Sequence, residues 1–406
     1  MMHERQIEKT VHKIRELYKR LDPYLFRTED TLKVESYATF DSLFAPPQDD
    51  RLYSPVTTGD TWGAEKQYNW FRGTFAVPER LAGLPLFIKP HFGGYEGLLF
   101  VNGKPYGNFA TKLAVACHGN HYCPRFTAGA PAGESFSLAI EAYAGHNGEG
   151  CYPYCQPDNR SFRYTIGDFE ICTQNTIVTE FCYDLRTLLE LRDCLPAESF
   201  QRARITNCLQ ELHTVLIYSM DTVPFSEVEE SLQKAREIMA PLLAETNAPK
   251  APRAALIGHS HMDTAWLWEI DETIKKCART YSNQMNLMDI DENYTFMQSS
   301  AYHLKWMEMY YPSLFEDIKK RVQEGRYEPN GGAYVESDGN IPGGEYLIRQ
   351  FLWGMNYTRE KFGYSSNAFF LPDSFGFSAA LPQILQGCEI PYFLTTKVGW
   401  NDTNMF

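Results

Sequence analysis

The 406-residue sequence contains no run approaching 18 apolar residues, so it offers nothing of the length a membrane span needs. It also lacks a surplus of positive charge. The 38 Lys and Arg against 51 Asp and Glu leave a net charge of −13. Such a surface repels phosphate backbones and anionic lipid, which argues against nucleic acid or membrane as a partner. The opening stretch, MMHERQIEKTVHKIRELYKRL, has no apolar core of the signal-peptide kind. There is no internal repeat and no low-complexity segment. The 10 Cys fall without a regular framework, in a chain large enough to need no covalent staples. They read as reduced thiols in a cytoplasmic setting. Composition leaves a homo-oligomer open.

Aromatic residues are abundant: 25 Tyr, 26 Phe and 7 Trp. Rings of this kind stack on sugar faces, and they also fill large cores. The length suits two or three domains. Residues 1–34 are led by an amphipathic helix, with Ile7, Val11, Ile14, Tyr18 and Leu21 at spacings of three and four. Residues 35–178 read as an antiparallel, lectin-like β-sandwich. Short β-type runs such as YNWFRGTFAV and EGLLFV are broken by Gly and Pro, and Asn102-Gly103 predicts a hairpin. Residues 179–251 read as helical and end in the linker ETNAPKAPR. Within them, Ser226 and Glu229 have the spacing of a capping box. From 252 to 406 the rhythm changes to strands alternating with helices. Strand candidates lie at 254–258, 294–298, 327–335, 367–371 and 391–396, which predicts a parallel α/β sheet, open or closed into a barrel. Only about five such units fit.

Chemistry concentrates where these parallel strands end, the edge at which α/β folds build their sites. In GHSHMDTAWLW, alternation would put His259, His261 and Asp263 on one face just past a strand. Imidazole with carboxylate suits zinc or a similar divalent ion, while local hydrogen bonding is the plainer alternative. In FFLPDSFGF, Asp373 follows a second strand; it is an N-cap, a third ligand or a nucleophile. Lys397 follows a third strand. GGAYVESDGNIPGG places Glu336 and Asp338 in a Gly-rich loop after a fourth, as sugar contacts or as an acidic turn. Trp266 and Trp268 offer a stacking face or core packing. A separate group, Cys117, His118, His121 and Cys123 with Cys151 and Cys155, has spacing that fits no standard zinc module.

Three of these segments, GHSHMDTAWLW, GGAYVESDGNIPGGEYLIRQ and FFLPDSFGFSAALPQIL, together resemble glycoside hydrolase family 38, the class II α-mannosidases, and most closely its cytosolic and vacuolar branch. The resemblance implies a (β/α)7 barrel, incomplete in this chain, behind the β-sandwich. It implies zinc-assisted, retaining hydrolysis of α-mannosides, with zinc or cobalt as the ion. It makes His261 and Asp263 metal ligands and Asp373 both ligand and nucleophile. Trp266 and Lys397 become substrate contacts, and His259 a residue that orients a ligand. The family's fourth ligand and its general acid are expected outside this stretch. His303, within a helical pattern, is a poor substitute for the former, and Glu336 has no family support as the latter. The 406-residue chain alone is therefore expected to bind zinc weakly and not to turn over an aryl α-mannoside. Two further readings remain at this stage. One is a metal-dependent amidohydrolase, which also opens a barrel with H-x-H. The other is a non-catalytic carbohydrate-binding protein built on the sandwich.

Overall fold

In the computed structural model, residues 2–110, 121–146, 161–247 and 251–400 are described. Of the cysteine and histidine group, Cys117, His118, Cys151 and Cys155 lie outside those residues. Cys123 is buried beside Cys172 and Phe87 in a small apolar cluster.

Two antiparallel sheets form the sandwich. One has six strands, in the order Ser54–Pro55, Glu35–Thr39, Tyr68–Ala76, Ser135–Tyr143, Glu96–Val101, Lys104–Ala110. The other has four, in the order Phe26–Thr31, Phe169–Gln174, Leu86–Pro90, Arg125–Thr127. The sandwich thus takes in a strand upstream of residue 35. Alternation sends Phe71, Phe75, Leu99, Leu138 and Ile140 inward against Leu86, Ile88, Phe169 and Ile171. The hairpin expected at Asn102-Gly103 is present, with both residues at positive φ.

Helix α1 (Met2–Arg20) packs with α2 (Thr176–Cys194), α3 (Phe200–Val215) and α4 (Phe225–Leu243) around Ile14, Leu17, Phe181, Leu185, Leu209 and Leu232. The N-terminal helix and the later helical segment therefore share one core. The capping box at Ser226 is not formed. Helix α4 starts two residues earlier than that box requires, with Pro224 as its N-cap. Glu229 instead accepts from Asn175 Nδ2 at 2.7 Å and pairs with Arg27.

The remaining part alternates short parallel strands with helices. Gly258–His259, Phe296–Met297 and Tyr327–Glu328 pair in that order, and Ala368–Phe370 pairs with Tyr392–Leu394. A bond from Phe370 N–H to Gly331 O at 3.4 Å links the two groups. The crossovers are α5 (Ile270–Ile290), α6 (Ala301–Tyr310) with α7 (Pro312–Gln323), α8 (Gly344–Phe362) and α9 (Leu381–Gly387). The first strand is shorter than its apolar run. Residues 254–257 stay outside the ladder, with Leu256 91% exposed.

The sandwich is built against α5. Trp70, Leu98, Phe100 and Ala139, on the outer face of the six-stranded sheet, pack with Ile274, Cys277, Ala278 and Tyr281. Sheet residues facing both ways are therefore buried, which is why EGLLFV reads as a continuous apolar run rather than an alternating one.

Candidate functional site

The carboxyl ends of the parallel strands converge on a cleft of about 350 Å³, lined by His261, Asp263, Trp266, Glu336, Asp338, Asp373 and Phe375. That volume lies at the small end of ligand-pocket sizes. The strands deliver these residues through the loops that follow them: His261, Asp373 and Lys397 lie two to three residues past their strands, and Glu336 lies further along its loop.

His261 Nε2 faces two carboxylates, Asp263 Oδ1 at 3.3 Å and Asp373 Oδ2 at 3.6 Å. Ligand atoms of these three residues all lie within 4.8 Å of one another, the one such grouping of His, Cys, Asp and Glu among the described residues. On the other side of the ring, Glu336 lies 3.1 Å from Nδ1. Carboxylates at both nitrogens, with Asp263 the largest influence and Glu336 next, push the His261 pKa up to about 10. An imidazole so surrounded sits in a field made for positive charge, and one imidazole with two carboxylates is a donor set that fits zinc or a similar ion. Lys397 Nζ holds the far oxygen of Asp373 at 2.6 Å.

Glu336 is itself fixed. Only 9% of its side chain is exposed, and Ser299 Oγ donates to it at 2.9 Å. Its loop is drawn in by Gly331, where a Cβ would fall 2.0 Å from the Ser299 carbonyl oxygen, and Val335 N–H donates to Gln350 Oε1 on α8. A carboxylate behind a histidine fixes its tautomer and ring orientation. His259, expected from the sequence to orient a ligand, is the last residue of its strand. The His259 ring stands edge-on to Phe370 at 4.6 Å, and its Nε2 finds no hydrogen-bond partner among the described residues.

Trp266 is 50% exposed on the cleft wall, perpendicular to Trp268 with ring centres 5.6 Å apart. Asp338 accepts from Asn340 and Ile341 N–H at 2.8 and 2.7 Å; these bonds hold its pKa below the usual carboxylate range, so it is an acidic turn that lines the cleft. Two supports escaped the sequence reading. His303 is buried beside the loop that carries Asp263, 2.7 Å from Thr264 Oγ1 and 3.1 Å from Gln298 Nε2. Burial drives its pKa down to about 3. The amide of Gln298 donates to Nδ1, so the ring is neutral and donates from Nε2 to Thr264. The second is Thr273 at the start of α5, whose hydroxyl accepts from Ala265 N–H and Trp268 Nε1–H. Neither residue has a sequence signal apart from the helix it lies on.

Residues 251–406, which hold every residue of the cleft, match the profile "Glycosyl hydrolases family 38 N-terminal domain". The chain belongs to glycoside hydrolase family 38. It is 30% identical over 383 residues to "Alpha-mannosidase 2C1" of Mus musculus, covering 94% of this chain and 36% of that protein. It is 31% identical over 361 residues to "Alpha-mannosidase G" of Dictyostelium discoideum, covering 87% and 32%. Residues in common with "Alpha-mannosidase" of Saccharomyces cerevisiae reach 42% over 151 positions, 37% of this chain and 14% of that protein. The chain spans about a third of the length of the first two relatives. Membership of family 38 sets aside the amidohydrolase reading.

Proposed function

We propose that this chain carries the metal ligands and the nucleophile of a retaining α-mannosidase that removes terminal α-linked mannose from oligosaccharides. The observation behind this reading is the convergence of His261, Asp263 and Asp373 in a cleft walled by a half-exposed tryptophan. His261 Nε2 and one oxygen each of Asp263 and Asp373 would hold a zinc ion. When bound, zinc supplies Lewis acidity to the ring hydroxyls of a mannose unit.

The residues then divide the work. Trp266 stacks on the sugar bound next to the ligands. Glu336 orients His261 from behind. The Lys397 ammonium, against Oδ1, keeps the Asp373 carboxylate aligned and partnered. Asp373 attacks the anomeric carbon as the glycosidic bond breaks, and the resulting glycosyl ester is cleaved by water with net retention. The proton for the leaving oxygen is not assigned to Glu336, whose carboxylate is committed to His261 and Ser299. A (β/α)7 barrel is the architecture we propose for the strand–helix alternation, and a cytoplasmic setting fits the free thiols of the described cysteines.

Zinc titration by calorimetry tests the reading. One ion per chain is expected in the unaltered protein, with binding lost in Asp263→Asn and in Asp373→Asn. Methyl α-mannoside should quench tryptophan emission only in the zinc-loaded protein, and methyl α-glucoside should not. Zinc stoichiometry unchanged in both variants would overturn it.

A further inference from the structure

The loop from Thr264 to Glu269 links a metal ligand to the sugar-stacking wall, and one backbone position in it is unfavourable. Ala265 has φ +62°, a left-handed conformation that residues with a side chain rarely adopt. Such a position persists only when its surroundings over-determine it. Four contacts converge to do so, all on one atom. Thr273 Oγ1 accepts from Ala265 N–H at 2.9 Å and from Trp268 Nε1–H at 3.0 Å. The hydroxyl proton is left facing the carbonyls of Glu269 at 3.4 Å and Asp263 at 3.5 Å. Thr273 is fully buried, so water does not replace it.

The helix that presents this hydroxyl is gripped by the sandwich on both sides of residue 273. Glu272 accepts from Tyr68 Oη at 2.6 Å. Lys275 pairs with Glu141 at 2.7 Å, and Lys276 with Glu96 at 2.7 Å. Lys276 Nζ also lies 4.8 Å over the Trp268 ring. Lys66, from the sandwich, pairs with Glu269 at 2.6 Å, where the loop enters α5. The loop is thus tied to the parallel sheet at His261 and to the sandwich at Glu269.

From this arrangement we infer that Thr273 is the positioning residue of the cleft: its hydroxyl fixes the Asp263–Trp268 loop, and so sets where Asp263 and Trp266 stand relative to each other. The inference rests on the proposed function for what Asp263 and Trp266 do, and on geometry alone for the loop. Its role differs from packing because a methyl group in place of the hydroxyl fills the same space and accepts nothing.

Thr273→Val and Thr273→Ser separate the two. Hydrogen exchange of the 260–269 segment, measured without metal, should speed up at least roughly tenfold in Val and stay within about twofold in Ser. Zinc affinity should fall roughly tenfold or more in Val and be restored by Ser. The thermal midpoint of each variant, compared with a Thr206→Val control in α3, reports any general loss of folding. Val behaving as the unaltered protein in both measurements would overturn the inference. So would exchange accelerated across the whole chain alongside the segment, or Ser failing to restore it. Failure of the unaltered protein to bind zinc would instead overturn the proposed function, and the exchange result would still decide the role of Thr273.

Discussion

The contact between α5 and the sandwich gives the sharpest stability prediction. Glu141 and Lys275 are both 0% exposed at their side chains and lie 2.7 Å apart. Glu141 also accepts from Arg279 at 2.9 Å, and Lys275 donates to the Leu43 carbonyl at 2.7 Å with the Tyr68 ring 3.8 Å from its Nζ. Arg279 has two further carboxylates, Glu272 at 2.5 Å and Glu96 at 2.9 Å. Replacing Glu141 by Leu leaves Arg279 paired but strands the Lys275 ammonium with one carbonyl and the rings of Tyr68 and Phe44. Removing one partner of a buried pair costs about 3–5 kcal/mol. At about 2–4 °C per kcal/mol for a unit of this size, the thermal midpoint should drop by at least roughly 6 °C. Adding Lys275→Met removes the stranded charge, and the double variant should recover to within about 1 kcal/mol of the unaltered protein. The sign of the pH effect follows from burial, which already lowers the Lys275 pKa. In Glu141→Leu that depression deepens. The unfolded chain then binds the proton that the folded chain resists, so stability rises with pH towards the free lysine value. Calorimetric unfolding of the three proteins between pH 6 and 9 is the assay. A single variant within about 1 kcal/mol of the unaltered protein, or a double variant no better than the single, would refute the reasoning.

Other outcomes follow from the cleft. His303 has a folded pKa near 3 against 6.5 unfolded. The stability tied to its neutral form is complete above about 6.5 and is lost as pH falls towards 3. Acid unfolding should therefore be shallower in His303→Gln, and an identical acid limb would discount the buried ring. Glu336→Gln removes the charge behind His261 and should weaken zinc binding by roughly 10–100-fold; unchanged affinity would take Glu336 out of the orienting role. Ala265→Gly relieves a left-handed backbone at the entropic cost of glycine, and should be neutral or slightly stabilising. Ala265→Val should cost more than about 1 kcal/mol in chemical unfolding, and the reverse order would show that the loop does not hold that φ.

How much of this was legible in the sequence depended on how local the cause was. Strand–helix alternation and the residues just past each strand are local features, and they led to His261, Asp263, Asp373 and Lys397. Glu336 was legible as a carboxylate in a Gly-rich loop, but its partner His261 lies 75 positions away. Thr273 and His303 carried no signal, since a threonine and a histidine inside helical patterns look like ordinary helix residues until a loop from elsewhere lands on them. The charges on α5 show the same limit in reverse. Glu272, Lys275, Lys276 and Arg279 carry four charges within eight residues of α5, with Glu272 and Lys276 at a favourable spacing of four. They are the face that holds the sandwich, because Glu96 and Glu141, on two neighbouring strands, meet them there. A sequence shows that a helix is charged; only the opposite sheet, itself carrying acids among Trp70, Leu98 and Phe100 on its outer face, shows that the charge is internal. The loop that carries Asp263 is anchored to that same helix, so a sandwich that looks like an accessory from its sequence becomes part of what keeps the cleft in shape.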